Sequence, residues 1–445
     1  MPIAISTEVQ EKAFRGLFAR PATSGLNPVF LREALNCDFR GGVASRRGGL
    51  RRINNTALSG TGYGPFYARF QSGINELLAA HGANISVVTR EPTAISQSLP
   101  TDWVARVGNT TYFNKLNDSV FICNQTDNDT KYGGTNLQKW GISAPSAAPT
   151  ITESSGTVSS TRRYKTTYLN STTVHEGPDS SATADITLTN EQASSASPAT
   201  PTDPQVNQWR LYAAVVSAGR PGVYYRVGTA ALGTAIVDNV SDAVLKTAQI
   251  LEEFTNNPPS GPLRFAVVHQ GRILAIPQDD RSIIYISDHD GFFSKPESFP
   301  VMNFLPINYR DGDVLTAIVS FDEYFLAIKQ FSIWAVIGAW PNVSVKAVSY
   351  RPDNTGIGTI DQRAVVAFER GAVFPSHDGV YVIEKGSVAS EDLFRTTKIS
   401  GWIDDFYAQV DLSQNMFAAF DRSRRSYRLW CTLRTGQNQN APVIT

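Results

Sequence analysis

Cysteine and histidine are both scarce in this sequence. The 445 residues include three cysteines, Cys37, Cys123 and Cys431, which form no CxxC pair, so neither a disulfide framework nor a zinc site is expected. Only five histidines are present, and no GxSxG elbow, HExxH helix or P-loop occurs. These absences remove the commonest sequence indications of an enzyme. We therefore expect a non-enzymatic protein with no catalytic residues, cofactor or metal.

The sequence also has no excess of charge of either sign. Lys plus Arg and Asp plus Glu both number 40, so no global field attracts nucleic acid or an anionic membrane. Charged residues make up 18%, below the usual quarter or so, which suggests extensive buried or subunit-contacting surface. No apolar run approaches the roughly 20 residues that span a bilayer, and the first residues lack the pattern of a signal peptide. We expect folding in a reducing cytoplasm and no membrane-spanning segment.

Long amphipathic helices are nearly absent, and short runs rich in Val, Ile, Phe, Tyr and Thr alternate with Gly, Asn, Asp and Pro clusters. This pattern is typical of many short strands joined by turns. Two helices are predicted, over residues 7–17 and over residues 243–253, the second with Asp242 as its N-cap.

A hairpin pattern recurs six times along the chain. The copies cover residues 75–88, 117–123, 271–286, 323–336, 371–383 and 415–431. Most successive copies lie about 43–52 residues apart, which is the period of four-stranded propeller blades. The second and third copies are separated by about 110 residues more than one period, which is the size of an immunoglobulin-type domain. The alternative, unrelated β domains with coincidental spacing, remains open.

The extra residues have visible borders and strand-like segments. They begin in the Pro-, Ser- and Ala-rich stretch at residues 143–149 and end near Asp242. Residues 163–168, 209–212 and 223–227 are predicted strands of an inserted sandwich. Residues 193–203, built almost entirely from Ala, Ser, Pro and Thr, are predicted to form a loop.

Several polar motifs admit both a chemical and a structural interpretation. His289 lies in an Asp-His-Asp-Gly sequence, and the His-Asp-Gly motif recurs at His377; adjacent side chains on an extended chain point to opposite faces, so a turn is favoured over an acid–base pair. Asp311 and Asp313 flank Gly312, and a turn is favoured there over a calcium site.

Two arginine clusters are the candidate site residues. They comprise Arg40, Arg46, Arg47, Arg51 and Arg52 in a Gly-rich region, and Arg422, Arg424, Arg425 and Arg428 in the last hairpin. Arginine and glycine in a loop suit phosphate contact. The favoured alternative is a solvated loop or an ion-pair network between subunits, so these residues are candidate channel or subunit-interface contacts.

The order of weak motifs resembles one family, the tail nozzle or packaged-DNA stabilisation proteins of short-tailed bacteriophages. The opening segments are GLN at 25–27, NCD at 36–38, GGV at 41–43 and RRGG at 46–49. The insert, with YKTTY at 164–168, EG at 176–177 and WRLY at 209–212, is similar to the fibronectin-like domain that many of them carry. Later segments are YIS at 285–287, PESF at 296–299, FPSHDGVY at 374–381 and YRLW at 427–430. Lys295 and Phe299 stand where that family usually has Asp and Trp.

This resemblance implies a ring, hexameric in that family, which lies below the portal and its adaptor with tail fibres nearby. It also implies transient, non-specific contact with genomic DNA in the channel, and localisation in the virion tail after assembly in the bacterial cytoplasm. The implied function is architectural: the protein extends the portal–adaptor channel, retains packaged DNA and lets it pass at ejection.

The predicted fold class is all-β, a six-bladed β-propeller-like domain with an inserted immunoglobulin- or fibronectin-III-like β-sandwich. The predicted domains are an N-terminal extended docking segment at 1–60, propeller blades at 61–142, the inserted sandwich at 143–250 and further blades at 251–445. An alternative function is a glycan-binding propeller lectin or adhesin for host-surface attachment, since Trp334, Trp340 and Trp402 could stack on sugars. A lectin is expected as a monomer or small oligomer, and a nozzle as a ring.

Overall fold

The computed structural model describes most of the chain from residue 58 onward. The described ranges are 58–91, 97–98, 109–127, 129–290, 293–349, 356–368, 371–386, 394–421, 426–434 and 443–444, together with four short strands before residue 47. Contacts divide the chain into two compact units. One is Thr56–Pro306, and the other combines Met1–Asn55 with Ile307–Thr445.

The N-terminal strands form two small pairs. They are β1 (Gly16–Leu17), parallel to β2 (Phe30–Leu31), and the antiparallel hairpin of β3 (Cys37–Arg40) with β4 (Val43–Arg46). The helix predicted over residues 7–17 lies outside the described residues except at its end, where Gly16 and Leu17 form a strand. That end of the prediction is wrong, because the two residues pair with β2 instead of closing a helical turn.

Two four-stranded antiparallel sheets precede the insert. Blade 1 consists of β5 (Gly62–Arg69), β6 (Asn75–His81), β7 (Asn84–Glu91) and β8 (Gln97–Ser98). Blade 2 consists of β9 (Tyr112–Leu116), β10 (Ser119–Cys123), β11 (Thr130–Tyr132) and β12 (Leu137–Lys139). In each blade every strand pairs with the next in sequence, which is the up-and-down order of a propeller blade.

The insert is a sandwich of two sheets. Its strands are β13 (Ile151–Val158), β14 (Thr161–Asn170), β15 (His175–Asp179), β16 (Ile186–Thr187), β17 (Glu191–Ser195), β18 (Gln208–Ser217), β19 (Arg220–Pro221), β20 (Tyr225–Ala231) and β21 (Ile236–Asp238). One sheet has the order β13-β17-β21; in the other, β14 and β18 are central. Tyr164 and Trp209 are buried between the sheets. Arg162 is buried with them and bonds to Asp238 at 2.6 Å, so the core charge is paired.

Two sequence predictions for the insert need correction. The helix predicted over residues 243–253 is only α1 (Asp242–Leu245), and its N-cap is Ser241, whose side chain accepts from Val244 N. Part of the loop predicted over residues 193–203 is strand β17, in which Ala193 is fully buried. Ala193 belongs to the apolar core between the two sheets, a burial that composition alone does not reveal.

Blade 3 follows the insert. It consists of β22 (Leu263–His269), β23 (Arg272–Pro277), β24 (Ile283–Ile286) and β27 (Phe304–Pro306), with a small hairpin, β25 (Asp288–His289) and β26 (Ser294–Lys295), between its last two strands. Phe121 and Trp140 of the preceding blade pack with their rings tilted at 42° and their centroids 4.9 Å apart. They share one apolar core with Ile273 and Phe299, so blades 2 and 3 are packed face to face.

The second unit contains the remaining sheets. Blade 4 consists of β28 (Leu315–Ser320), β29 (Tyr324–Lys329), β30 (Ile333–Ile337) and β31 (Ser344–Ser349). Blade 5 consists of β32 (Val366–Phe368), β33 (Gly371–Ser376), β34 (Gly379–Lys385) and β35 (Phe394–Lys398). Blade 6 consists of β36 (Phe417–Asp421), β37 (Ser426–Trp430) and β38 (Val443–Ile444). In the described part of this unit, three short helices flank the strands: 3₁₀ turns at Gln362–Ala364 and Gly401–Ile403, and α2 (Asp404–Tyr407).

The predicted fold class is confirmed: the chain is all-β and six-bladed, β-propeller-like, with a sandwich inserted after the second blade. Each predicted hairpin copy contains an inner strand of one sheet, such as β6 and β7 in the first copy and β33 and β34 in the fifth. Within each unit, apolar side chains of neighbouring blades share a core, as in blades 1 and 2 and in blades 4 and 5. The sequence pattern of hydrophobic strands between polar turns detected these strands.

Candidate functional site

Most of the predicted arginine contacts lie outside the described residues. Arg47, Arg51 and Arg52 and the later Arg422, Arg424 and Arg425 belong to this group. Arg40 and Arg46 lie on the hairpin β3–β4, where Arg40 pairs with Val43 and Arg46 with Cys37. Their role as channel or subunit contacts therefore stays a prediction.

The predicted turn at Asp311 and Asp313 is confirmed. The Asp313 N–H donates to Asp311 at 3.0 Å, and the ammonium of Lys329, which is fully buried, donates to the same carboxylate at 2.7 Å. Burial alone raises the pKa of Asp311, but the hydrogen bonds from Lys329 and the Asp313 backbone outweigh it and lower the pKa below its usual value. These carboxylates hold a loop together by accepting local donors.

The two His-Asp-Gly motifs, at His289 and His377, also make local structural contacts. The ring of His377 stacks on Phe331 with centroids 4.6 Å apart, and its Nε2 lies 3.2 Å from the carbonyl of Gln330. His289 pairs with Ser294 in the β25–β26 hairpin. Within the described ranges, no group of three or more His, Cys, Asp or Glu side chains is placed to hold a metal ion.

A cleft in the unit Thr56–Pro306 is the strongest candidate site. Its volume is about 530 Å³, within the range of small-molecule sites, which often lie between domains. It lies between the insert and blades 2 and 3. The lining comprises residues 116–119 and Phe121 of blade 2, residues 173–176 and Arg210 of the insert, Gln249, Ile250, Glu252 and Asn256 of the connection, and residues 294–298 of blade 3.

Local chain geometry turns these segments toward the cleft. The β9–β10 hairpin turns at Asn117, whose φ of 53° is left-handed, a conformation that asparagine tolerates better than most residues. Residues 171–174 form the turn between β14 and β15, and the carboxamide oxygen of Asn170 accepts the backbone N–H groups of Thr172 and Thr173. The third wall is the β25–β26 hairpin and the turn that follows it.

Every carboxylate in the cleft has a cationic partner. Glu297 accepts from Lys131 at 2.6 Å, and Glu176 accepts from Arg210 at 2.5 Å. At the rim, where exposure weakens such pairs, Glu252 lies 3.5 Å from Lys295, and Asp118 lies 3.6 Å from Lys115. The cleft is therefore polar but balanced in charge.

His175 is the unusual side chain of the cleft. It opens strand β15, its side chain is only 11% exposed, and its Nε2 is buried without a hydrogen-bond partner, 4.0 Å from Glu297. Burial lowers the pKa of His175, so the ring is neutral near pH 7. The Nε of Arg210 is also buried without a partner. A buried polar atom without a partner is uncommon and costs stability, which makes it an indication of function.

The cleft walls are fixed to one another by buried contacts. The Trp140 indole N–H donates to the carbonyl of Pro296 at 2.8 Å, and the Gln205 amide donates to the carbonyl of Gly141 at 3.0 Å. Gly141 has a φ of 82°, and a Cβ there would lie 2.8 Å from Pro258. A Cβ on Gly177 would lie 2.7 Å from Ile142. Only glycine allows the two segments that connect the insert to the blades to approach this closely at Gly141, and Ile142 to pack this closely on Gly177.

Sequence reasoning missed this cleft, although it noted two of its segments. The motifs at 176–177 and 296–299 were assigned to the fold and not to a site. His175 precedes one and Lys295 precedes the other. A titratable residue beside each of two strand-like motifs was the available signal, but nothing in the sequence showed that the two come together.

The tryptophans considered as sugar contacts are not open stacking platforms where the structure describes them. Trp334 is half-buried and donates its indole N–H to Ser332 at 3.1 Å, and Trp340 is also half-buried. The side chain of Trp402 lies outside the described set. Among the described residues, no helix is long and apolar enough to cross a membrane.

No family model and no curated protein matches this chain. Solved structures of low similarity include YCF48 from Cyanidioschyzon merolae, at 12% identity and a TM-score of 0.29, covering 84% of this chain and 94% of that one. YCF48 bound to D1 peptide has 10% identity and a TM-score of 0.20, covering 71% and 88%. AztD of Citrobacter koseri has 9% identity and a TM-score of 0.26, covering 76% and 87%. Identities and TM-scores this low support no conclusion about the function of this chain.

Proposed function

We propose that this chain is a structural component of a phage tail, a nozzle or tail-tube protein that extends the portal–adaptor channel, retains packaged DNA and lets it pass at ejection. In this proposal it is not an enzyme, and it acts in the virion as a homo-oligomeric ring, hexameric by resemblance. Its neighbours are the portal, adaptor and tail-fibre proteins. The ordered series of sequence motifs and the blade-plus-insert fold are the starting points of the proposal.

An exposed apolar cluster is the observation that carries it. Phe254, Val301 and Met302 have exposed fractions of 68%, 58% and 78%. They lie together, because the Val301 N–H donates to the carbonyl of Phe254 at 3.1 Å. Contiguous exposed apolar side chains favour contact with another protein.

The neighbouring sheet edge supports the same role. Among the strands that the structure describes, β27 pairs with β24 alone and is the edge strand of its sheet, and it carries the exposed Phe304. An open strand edge beside an apolar cluster is a surface that proteins usually cover. We assign a second copy of the chain as the occupant, since a ring of identical subunits repeats one heterologous contact around its axis.

Sedimentation velocity of the full chain tests this assignment. We expect a discrete species at a multiple of the 48.5 kDa protomer. The double variant Val301→Ser, Met302→Ser is expected to sediment as the protomer, since it removes the apolar contact without touching the core. Val237→Ser, at another exposed valine, is the matched control and should assemble normally. A protomer-sized wild type, or a double variant that assembles unchanged, contradicts the assignment.

A further inference from the structure

We infer that the cleft between the insert and blades 2 and 3 binds a neutral saccharide, through His175 and the polar groups around it. This inference goes beyond the proposed structural role and does not depend on it. It rests on the charge balance of the cleft, on His175 and on the apolar side chains at the rim.

The charge balance argues against an ionic ligand. Glu297 is engaged by the buried Lys131 and Glu176 by the half-buried Arg210. Lys295 faces both Glu252 and Asp288, at 3.5 and 3.7 Å. An incoming cation must compete with a cation already bonded, and an incoming anion must displace a carboxylate. A neutral ligand with many hydroxyl groups avoids either cost.

His175 matches a hydroxyl ligand in either tautomer. A neutral imidazole donates from one nitrogen and accepts at the other, and a hydroxyl both donates and accepts. A sugar hydroxyl at Nε2 therefore satisfies this buried atom whichever way the proton lies. Ser294 donates its hydroxyl proton to the carbonyl of Gly271 and can still accept, and Asn117 donates one amide proton to the carbonyl of Ser294. The amide and hydroxyl side chains that line the walls are Asn117, Ser119, Thr173, Asn256 and Ser294.

Apolar side chains complete the match. Val174 and Ile250 line the cleft, and both are exposed although they are large and apolar. The C–H face of a pyranose ring is apolar, and it gains from covering such side chains. The polar groups in the walls thus match the hydroxyl groups at the edge of a sugar ring. The exposed apolar side chains match its C–H face. The 530 Å³ cleft accommodates a disaccharide.

The test is ligand-observed saturation-transfer NMR on the full chain with maltose, lactose and N,N′-diacetylchitobiose, followed by titration of the responding disaccharide. Putrescine and glucuronic acid serve as cationic and anionic probes. Three variants are compared: His175→Phe, which keeps a ring but removes Nε2; Thr173→Trp, which fills the cleft from an exposed turn; and Thr172→Trp, a matched change on the same turn outside the lining. Thermal melts check that each variant is folded.

We expect one of the neutral disaccharides to bind, and the affinity to fall about tenfold or more in His175→Phe, as for a lost hydrogen bond with an unpaired partner. Thr173→Trp should abolish binding, and Thr172→Trp should leave it unchanged. The inference is overturned if none of the three disaccharides binds, if only a charged probe binds, or if Thr173→Trp binds as the wild type does. Because Thr173→Trp alters an exposed turn, this test holds even if His175→Phe does not fold. Ring assembly is measured separately, so its failure and the failure of this inference are distinguishable.

Discussion

Lys131 and Glu297 form a buried ion pair in the unit Thr56–Pro306. Lys131 lies on β11 of blade 2 and Glu297 in the turn after β26, and their atoms are 2.6 Å apart with both side chains nearly buried. The pair joins two blades beside the cleft. Burying two charges costs desolvation, so the pair is retained for position more than for net stability, and breaking it leaves one charge unpaired.

Removing one partner of this pair should be strongly destabilising. We expect Lys131→Met to lower the free energy of unfolding by about 3–5 kcal/mol, because the Glu297 carboxylate is then buried alone. The double change Lys131→Met, Glu297→Gln should recover part of that loss. Denaturant titration measures both.

The control for this prediction is an exposed ion pair. Lys385 and Glu323 lie 3.5 Å apart at the surface, and Lys385→Met should cost less than about 1 kcal/mol. If Lys131→Met costs no more than Lys385→Met, the buried pair does not brace the two blades.

His175 should make stability depend on pH. Burial lowers its pKa in the folded state below the ordinary 6.5 that applies to the unfolded chain. Between these two pKa values the unfolded chain binds more protons, so the free energy of unfolding falls as the pH drops below about 6.5. The surrounding charges are Glu297, Lys131, Glu176 and Lys295.

The variant His175→Phe isolates this contribution. Its unfolding free energy should fall less between pH 7 and pH 5 than that of the wild type, as measured by urea titration at each pH. Thr172→Val, an exposed change nearby, should retain the wild-type dependence. Equal pH dependence in His175→Phe and the wild type would show that the ring titrates as it does in water.

At the scale of elements, the sequence predicted most of the strands but not the cleft. The six hairpins were predictable because strands such as β29, with Tyr324–Lys329 buried throughout, leave an apolar run between turn residues. The strand at Ala193 was not, because a composition of Ala, Ser, Pro and Thr is typical of a loop and only the packed insert buries Ala193. The cleft was not predictable either, since Asn117, His175 and Glu297 are distant in sequence and meet only when the insert packs on the blades.

The insert should fold when isolated, provided that its fragment includes its whole core. Ile142 and Leu245 are buried in that core, although both lie outside the fragment 144–242. We expect fragment 142–251 to give β-type circular dichroism and a cooperative melt. Fragment 144–242 should be less stable by about 2 kcal/mol or more, since it lacks two buried aliphatic side chains. Guanidinium titration of both compares them, and equal stability would place the boundary inside residues 144–242. A broad, non-cooperative transition in the longer fragment would show that the insert depends on the blades.

At the scale of the whole molecule, a zero net charge suits a conduit more than a DNA-binding module. Each phosphate that a protein neutralises adds counterion-release affinity, and strong affinity would oppose the sliding of DNA through a channel. The chain carries equal numbers of acidic and basic residues, so in the proposed conduit a contact with DNA would come from local groups such as Arg46 and Arg47.

The isolated chain should therefore show no specific DNA binding at physiological salt. The double change Arg46→Ala, Arg47→Ala should alter assembly or docking more than any DNA affinity, which gel-shift titration beside native mass measurement determines. Tight DNA binding that is lost in the double variant while the oligomer persists would instead identify a nucleic-acid-binding module.

Electron microscopy of the purified full chain tests the central claim most directly. If the chain is a tail-tube component, class averages should show rings of identical subunits around an axial opening, at micromolar concentration and without other tail proteins. The apolar cluster at Phe254, Val301 and Met302 should lie at the contact between subunits. Single particles of protomer size under the same conditions, with that cluster facing solvent, would contradict the account.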